Sequence, residues 1–172
     1  MPSEERGIVV HAAARSFGAV QAVRDISFEA RAGEVTALVG PNGSGKTTLL
    51  LMLATLLVPD HGSLRINGLD PIAAPHAVRR VTGWMPDVLG SWPNLTVTEA
   101  LALTGRLYGM SPGTSRARAE ELISLVRLDP LARRRTRVLS RGQKQLLSLA
   151  RALVHDPDVL LLDEPRMRLE DI

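Results

Sequence analysis

Apolar positions along the chain fall into short runs whose period changes, and those changes predict the elements. Ile8-Val9-Val10 is a compact apolar run, and Ile26, Phe28 and Ala30 alternate with polar neighbours, so two strands of an antiparallel unit are expected first. Phe17-Gly18 supplies a turn between them. Gly33 turns the chain into Val35-Thr36-Ala37-Leu38-Val39, which reads as a buried strand. Residues 47–57 are apolar on nearly all sides, as a helix packed against a sheet would be, and Pro59-Asp60-His61-Gly62 ends them.

Ser63-Leu64-Arg65-Ile66 alternates into Asn67-Gly68, a strong turn signal. A short helix is expected over 71–80, then a strand, Val81-Thr82-Gly83-Trp84-Met85, stopped by Pro86. The pattern then becomes helical and amphipathic, broken at Gly109, Pro112 and Gly113. Thr96-Val97-Thr98-Glu99 is a capping box that starts a helix running to about Tyr108. A second helix is predicted over 115–127, with Ala119, Leu122, Ile123 and Val126 on one face. Ser140-Arg141-Gly142-Gln143 repeats the capping-box pattern for a helix to about His155, closed by Pro157. Val159-Leu160-Leu161-Leu162 is wholly apolar, which predicts an interior, parallel strand covered on both faces.

Composition narrows the class. With 172 residues, 45% hydrophobic and 23% charged, the chain is long enough for one domain with a real core. It has no cysteine, so disulfides and thiolate metal sites are excluded and an intracellular protein is expected. Met1-Pro2-Ser3-Glu4-Glu5 is too acidic for a secretory leader. The most apolar stretch, 49–58, falls short of the roughly 18 residues that a spanning helix needs, so a membrane role is expected to run through a partner. The net charge of +3 is modest, and 19 arginines stand against 2 lysines, a usage that hints at a GC-rich bacterial source. Arg79-Arg80 and Arg133-Arg134-Arg135 with Arg137 read as solvated helix ends and loops. So few aromatics accompany them that no direct nucleic-acid binding is expected.

The chemistry is concentrated in Gly40-Pro41-Asn42-Gly43-Ser44-Gly45-Lys46-Thr47, which fits G-x-x-x-x-G-K-[ST] at every specified position. Glycines let backbone N–H groups wrap a phosphate, because no Cβ blocks the approach or forbids positive φ. A helix N-terminus behind the loop adds further donors and roughly half a positive charge. Lys46 would reach the β- and γ-phosphates, and the Thr47 hydroxyl would hold Mg²⁺. Thr48 follows in the same first turn and is counted with the nucleotide-binding residues. Asp163 and Glu164 stand at the end of the last apolar strand. Taken alone they could simply begin a turn or helix. Taken with the loop they read as the second half of one site, Asp163 ordering the Mg²⁺ water shell and Glu164 polarising the attacking water.

Four stretches in this order resemble the ATP-binding subunits of ABC transporters: Phe17, the 40–47 loop, Leu139-Ser140-Arg141-Gly142-Gln143, and Leu160-Leu161-Leu162-Asp163-Glu164-Pro165. The Leu-Ser-x-Gly-Gln stretch, with Leu-Ala-Arg-Ala-Leu and Asp-Pro after it, is the specific one. The resemblance implies an α/β fold of the P-loop NTPase (ABC ATPase) type, with a mainly parallel core sheet, an N-terminal antiparallel β part and an inserted helical subdomain at about 88–140. The whole of 1–172 would be one ATP-binding domain, incomplete at its C-terminal end. The resemblance also implies that Phe17 stacks on adenine beside Val23, where the plainer reading is a small-core aromatic. Ser140, Arg141, Gly142 and Gln143 would act in trans on ATP held by a second subunit, in a homo- or heterodimer. Transmembrane permease subunits would be the other partners, facing the helical insertion and the stretch 84–96, with the protein cytoplasmic and peripheral to the inner face of the membrane. Binding and hydrolysis of ATP with Mg²⁺ would then power transport. Two other functions remain open: a soluble ABC-type ATPase acting on nucleic acid or ribosomes, and a non-catalytic nucleotide-binding fragment.

The sequence departs from the family pattern in places. Asp87 stands where glutamine is usual; it would still approach Mg²⁺, and nucleotide closure would depend more on the metal. Arg141 replaces a glycine, a milder change. After Pro165 come Arg166-Met167-Arg168-Leu169-Glu170 in place of small residues and Leu-Asp, and no histidine follows His155. The strand that lies between the phosphate-loop strand and the 159–162 strand in that fold is also lacking, which would leave both neighbours with unpaired backbone and apolar faces. A truncated product or a piece of a longer chain is expected, with poor ATP turnover by this polypeptide alone.

Overall fold

A computed structural model describes residues 7–87, 90 and 92–165. The N-terminal segment 1–6, positions 88, 89 and 91 of the connecting stretch, and 166–172, with what the sequence predicts for them, lie outside the described residues. The chain forms two compact units, Met1–Thr82 and Gly83–Ile172.

The first unit is built on three strands, β1 (Gly7–Phe17), β2 (Val20–Arg31) and β3 (His61–Ile66), in the antiparallel order β2-β1-β3. Phe17 pairs with Val20 across a two-residue loop whose Gly18 has φ 57°, so the predicted turn forms. Ile8 faces Ile66 and Val10 faces Leu64 across the β1–β3 ladder, and all four are buried. Such cross-strand apolar pairs are the unit that stabilises a sheet. Asn67 and Gly68 both adopt positive φ, as the turn signal requires, and Asn67 Oδ1 accepts from the Gly7 N–H at 2.8 Å.

Helix α1 (Lys46–Leu53) buries Leu49, Leu50, Met52 and Leu53. It stops four residues before the expected end because Thr55 takes φ 63° and the N–H groups of Leu56 and Leu57 fold back to the Leu51 carbonyl. Helix α2 (Pro75–Val81) starts later than expected. Asp70 Oδ1 accepts from the N–H groups of Ile72 and Ala73, and that local turn competes with a helical start.

The 35–39 run corrects the sequence reading. It forms no strand among the described residues, and Val35 and Val39 are 87% and 93% exposed. The physical reason is that an apolar run becomes a buried strand only when a neighbour takes its backbone groups, and no described strand pairs with it.

In the second unit, β4 (Thr82–Met85) and β5 (Val159–Leu162) form a two-stranded parallel sheet. Helices α3 (Val97–Leu107), α4 (Pro112–Leu125) and α5 (Arg141–Leu153) accompany it, and Met85, Val97, Leu101, Leu122, Leu128 and Leu147 belong to the core. β5 does not have the cover expected on both faces: Leu161 is buried but Leu160 is 41% exposed, with β4 its one partner among the described strands. Pro112, read as punctuation, is instead the first residue of α4 behind the Ser111 cap, where a missing N–H costs nothing. Arg133, Arg134, Arg135 and Arg137 are exposed, as solvated loop residues should be. No helix among the described residues is long and apolar enough to cross a membrane.

Both predicted capping boxes form, and they differ in how they meet acid. At α3, Thr96 Oγ1 accepts from the Glu99 N–H at 3.2 Å and Glu99 Oε2 accepts from the Thr96 N–H at 2.8 Å. The Thr96 N–H first, and the Thr96 hydroxyl after it, hold the Glu99 carboxyl below its ordinary range. A depressed carboxyl pKa stabilises fully above the ordinary glutamate range and loses that contribution as pH falls through the folded value. At α5 the same position is Gln143, which does not titrate. Amide exchange followed from about pH 6 to about pH 3 should therefore show the first turn of α3 loosening before that of α5, and Glu99→Gln should remove the difference.

Candidate functional site

Lys46 to Thr48 open α1 directly behind the glycine-rich loop. Gly43 and Gly45 have φ 81° and 90°, backbone that L side chains rarely adopt. A Cβ on Gly43 would meet nothing within 4 Å, whereas one on Gly45 would sit 2.1 Å from the Ala22 carbonyl oxygen. The loop is therefore open on one side and pressed against β2 on the other. Lys46 Nζ donates to the Gly40 and Pro41 carbonyls at 2.8 and 2.9 Å, which lays the ammonium across the loop. The N-cap of α1 is Gly45, which has no side chain to cap the helix. By contrast, α3, α4 and α5 are each capped by their own hydroxyl, from Thr96, Ser111 and Ser140. The N-terminus of α1 therefore presents backbone N–H donors that its cap residue does not take up, as the cap of α2, Ala74, also leaves them.

Phe17 lies in the same unit and is 48% exposed, with the Arg15 guanidinium carbon 5.1 Å from its ring centre. Arg15 is anchored by Asp60 at 2.7 Å. Val23 is buried, and its methyl would be 3.3 Å from a Cβ on Gly45, so it supports the loop from beneath.

The remaining sequence-predicted residues belong to the second unit. Ser140, Arg141 and Gly142 are exposed at the N-terminus of α5. Ser140 Oγ accepts from the Gln143 N–H at 3.3 Å, and Gln143 Oε1 accepts from the Ser140 N–H at 2.9 Å. Replacing Ser140 by alanine removes that bond and should cost about 1 kcal/mol, read as a lower denaturant midpoint at unchanged slope. Asp163 is 3% exposed, and its N–H donates to the Met85 carbonyl at 2.9 Å, which ties the end of β5 to the end of β4. Glu164 follows with φ 47°. A left-handed glutamate costs about 1–2 kcal/mol, and strain of this kind gathers at functional positions. Asp87, just after β4, has a side chain 34% exposed. Its Oδ1 is shielded from solvent and makes no hydrogen bond among the described residues.

Two arginines escaped the sequence reading. Arg118 of α4 donates from Nε to the Val154 carbonyl and from Nη2 to the Leu153 carbonyl, capping the C-terminus of α5 from 35 and 36 residues away. A cation there also meets the negative end of the helix. Arg151 of α5 lies over the Trp92 ring at 4.7 Å and donates to the Gly90 carbonyl at 2.7 Å. Burial lowers its pKa, without making it neutral in any ordinary buffer. No local pattern signals either contact, because both are made by packing.

The sequence pattern of the family described as ABC transporter matches residues 23–167. The chain belongs to that family. It is 39% identical to the ABC transporter ATP-binding protein NatA of Bacillus subtilis over 88% of this chain and 62% of that one. It is 43% identical to the Nod factor export ATP-binding protein I of Paraburkholderia xenovorans over 91% of this chain and 51% of the relative. This ABC family chain thus spans about half to two thirds of the length of these curated relatives. Among solved structures it resembles an ATP-binding subunit of an ABC transporter, with TM-score 0.82 and 28% identity over 94% of this chain and 67% of that one. It also resembles a dimeric ATP-binding cassette in a post-hydrolysis state bound to ADP and Pi, with TM-score 0.81 and 26% identity over 95% of this chain and 77% of that one. The α/β ABC ATPase fold expected from the motifs is the fold observed.

Magnesium chemistry fits the residues present. Thr47 in the first unit, and Asp87 and Asp163 in the second, each carry the oxygen donors that Mg²⁺ prefers. No three acids or histidines cluster into a cage among the described residues.

Proposed function

We propose that the chain is the ATP-binding part of an ABC transporter's energising subunit. The observation that carries this reading is α1, which begins without a side-chain cap behind glycines in left-handed backbone and has Lys46 laid over them. Residues 40–48 bind the triphosphate, and Phe17 offers a half-exposed ring to the base. Thr47, Asp87 and Asp163 are the oxygen donors for Mg²⁺, which when bound would neutralise charge on the phosphates. Glu164 polarises water for attack on the γ-phosphate. The exposed first turn of α5, Ser140 to Gln143, closes over ATP held by a second such subunit, so the working unit is a dimer, as in the solved cassette bound to ADP and Pi. Permease subunits at the cytoplasmic side of the membrane receive the motion, and Arg151 holds Gly90 and Trp92 of the connecting stretch to α5. The relatives named above are both transport ATP-binding proteins, which supports this reading over a soluble ATPase acting on nucleic acid or ribosomes.

Titration of the purified chain with ATP in the presence and absence of Mg²⁺ tests the reading. Saturable binding strengthened by Mg²⁺ is expected, with slow steady turnover, and Asp87→Gln should weaken the Mg²⁺ dependence. No binding at millimolar ATP contradicts the reading. Brisk turnover abolished by Glu164→Gln contradicts the expected poor hydrolysis.

A further inference from the structure

Helix α5 begins with a cation. Arg141 is its first residue, and no acid stands in its first turn. A positive side chain there opposes the helix dipole, whose N-terminal end favours negative charge. The acid comes instead from another element: Arg141 Nη2 lies 3.9 Å from Asp87 Oδ1, just after β4. That oxygen is the shielded one that makes no hydrogen bond, so the pair is held by charge at a distance that a small movement can break. The Arg141 side chain is 67% exposed, at the same end of α5 as the exposed Ser140 and Gly142. At the other end of the helix, Arg151 donates to the Gly90 carbonyl and lies over the Trp92 ring.

We propose that Asp87 is an electrostatic latch on the N-terminus of α5. While it faces Arg141, its negative charge offsets both the guanidinium and the helix end, and the end attracts phosphate weakly. When Asp87 moves away, the same end presents an unopposed guanidinium beside its backbone donors and takes a phosphate more strongly. This rests on the reading that α5 caps the triphosphate bound to a second copy, and it adds to that reading how the capping end is held in check.

The variants move in opposite directions, which a merely structural ion pair would not produce. With each variant saturated with MgATP, so that any loss of metal affinity at Asp87 is taken out, Asp87→Asn should tighten self-association of the full chain, measured by sedimentation, by roughly two- to fivefold, and Arg141→Gln should weaken it by a similar factor. Shifts in the same direction, or none, overturn the latch. A second measurement needs no nucleotide: hydrogen exchange at the amides of Gln143 and Lys144. Asp87→Asn should speed it roughly two- to fivefold in the wild-type background and by clearly less in the Arg141→Gln background, where only the helix end still feels the carboxylate. The exchanged pair Asp87→Arg with Arg141→Asp should restore protection. If wild-type chain binds MgATP without associating, the capping reading fails on its own, and the latch is then judged by exchange: equal effects of Asp87→Asn in both backgrounds overturn it.

Discussion

Replacing Lys46 by alanine should raise the Kd for MgATP by roughly ten- to a hundredfold, the scale set by losing charged hydrogen bonds to phosphate. The ammonium spans the loop and donates to the Gly40 and Pro41 carbonyls, so it is held where an incoming triphosphate would meet it. Those bonds are exposed, and thermal stability should change little while affinity collapses. Calorimetric titration of wild type and variant, with unfolding followed in parallel, separates the two effects. An unchanged Kd would remove Lys46 from the site.

Replacing Gly45 by alanine should destabilise the first unit by about 2–5 kcal/mol, combining left-handed strain of about 1–2 kcal/mol with overpacking of about 1–3 kcal/mol. The overpacking is specific: the new Cβ would lie 2.1 Å from the Ala22 carbonyl oxygen, a backbone atom that cannot swing aside. Gly43→Ala is the control. It shares the strained φ but meets nothing within 4 Å, so it should lose only about 1–2 kcal/mol. Denaturant unfolding of both variants measures the difference, and equal losses would mean that the contact with β2 does not shape the loop.

What could be read in the sequence was local. Both capping boxes, the Asn67-Gly68 turn and the Phe17-Gly18 turn depend on residues a few positions apart, and all four formed. Lys46 opens its helix because the glycines before it cannot continue one backwards. What failed was cover. The apolar run at 35–39 states a demand for neighbours, but the run itself cannot show that a neighbour is there, and Val35 and Val39 are left exposed. Leu160 in β5 repeats the lesson on a smaller scale. The arginines were illegible for a related reason: Arg118, Arg141 and Arg151 each reach a partner brought close by packing rather than by spacing. Asp87 and Arg141, noticed separately as departures from the family pattern, form a pair only once β4 and α5 are in place.

The chain's lack of cysteine makes the central claim directly measurable. One copy carries Asn42→Cys in the phosphate loop and another carries Gly142→Cys at the start of α5, where an added side chain meets nothing within 4 Å. Mixed under mild oxidation, the two should form a disulfide between copies when MgATP is present and little without it. Saturating MgATP binding with no such disulfide would contradict a dimer in which each copy cradles one triphosphate and caps the other.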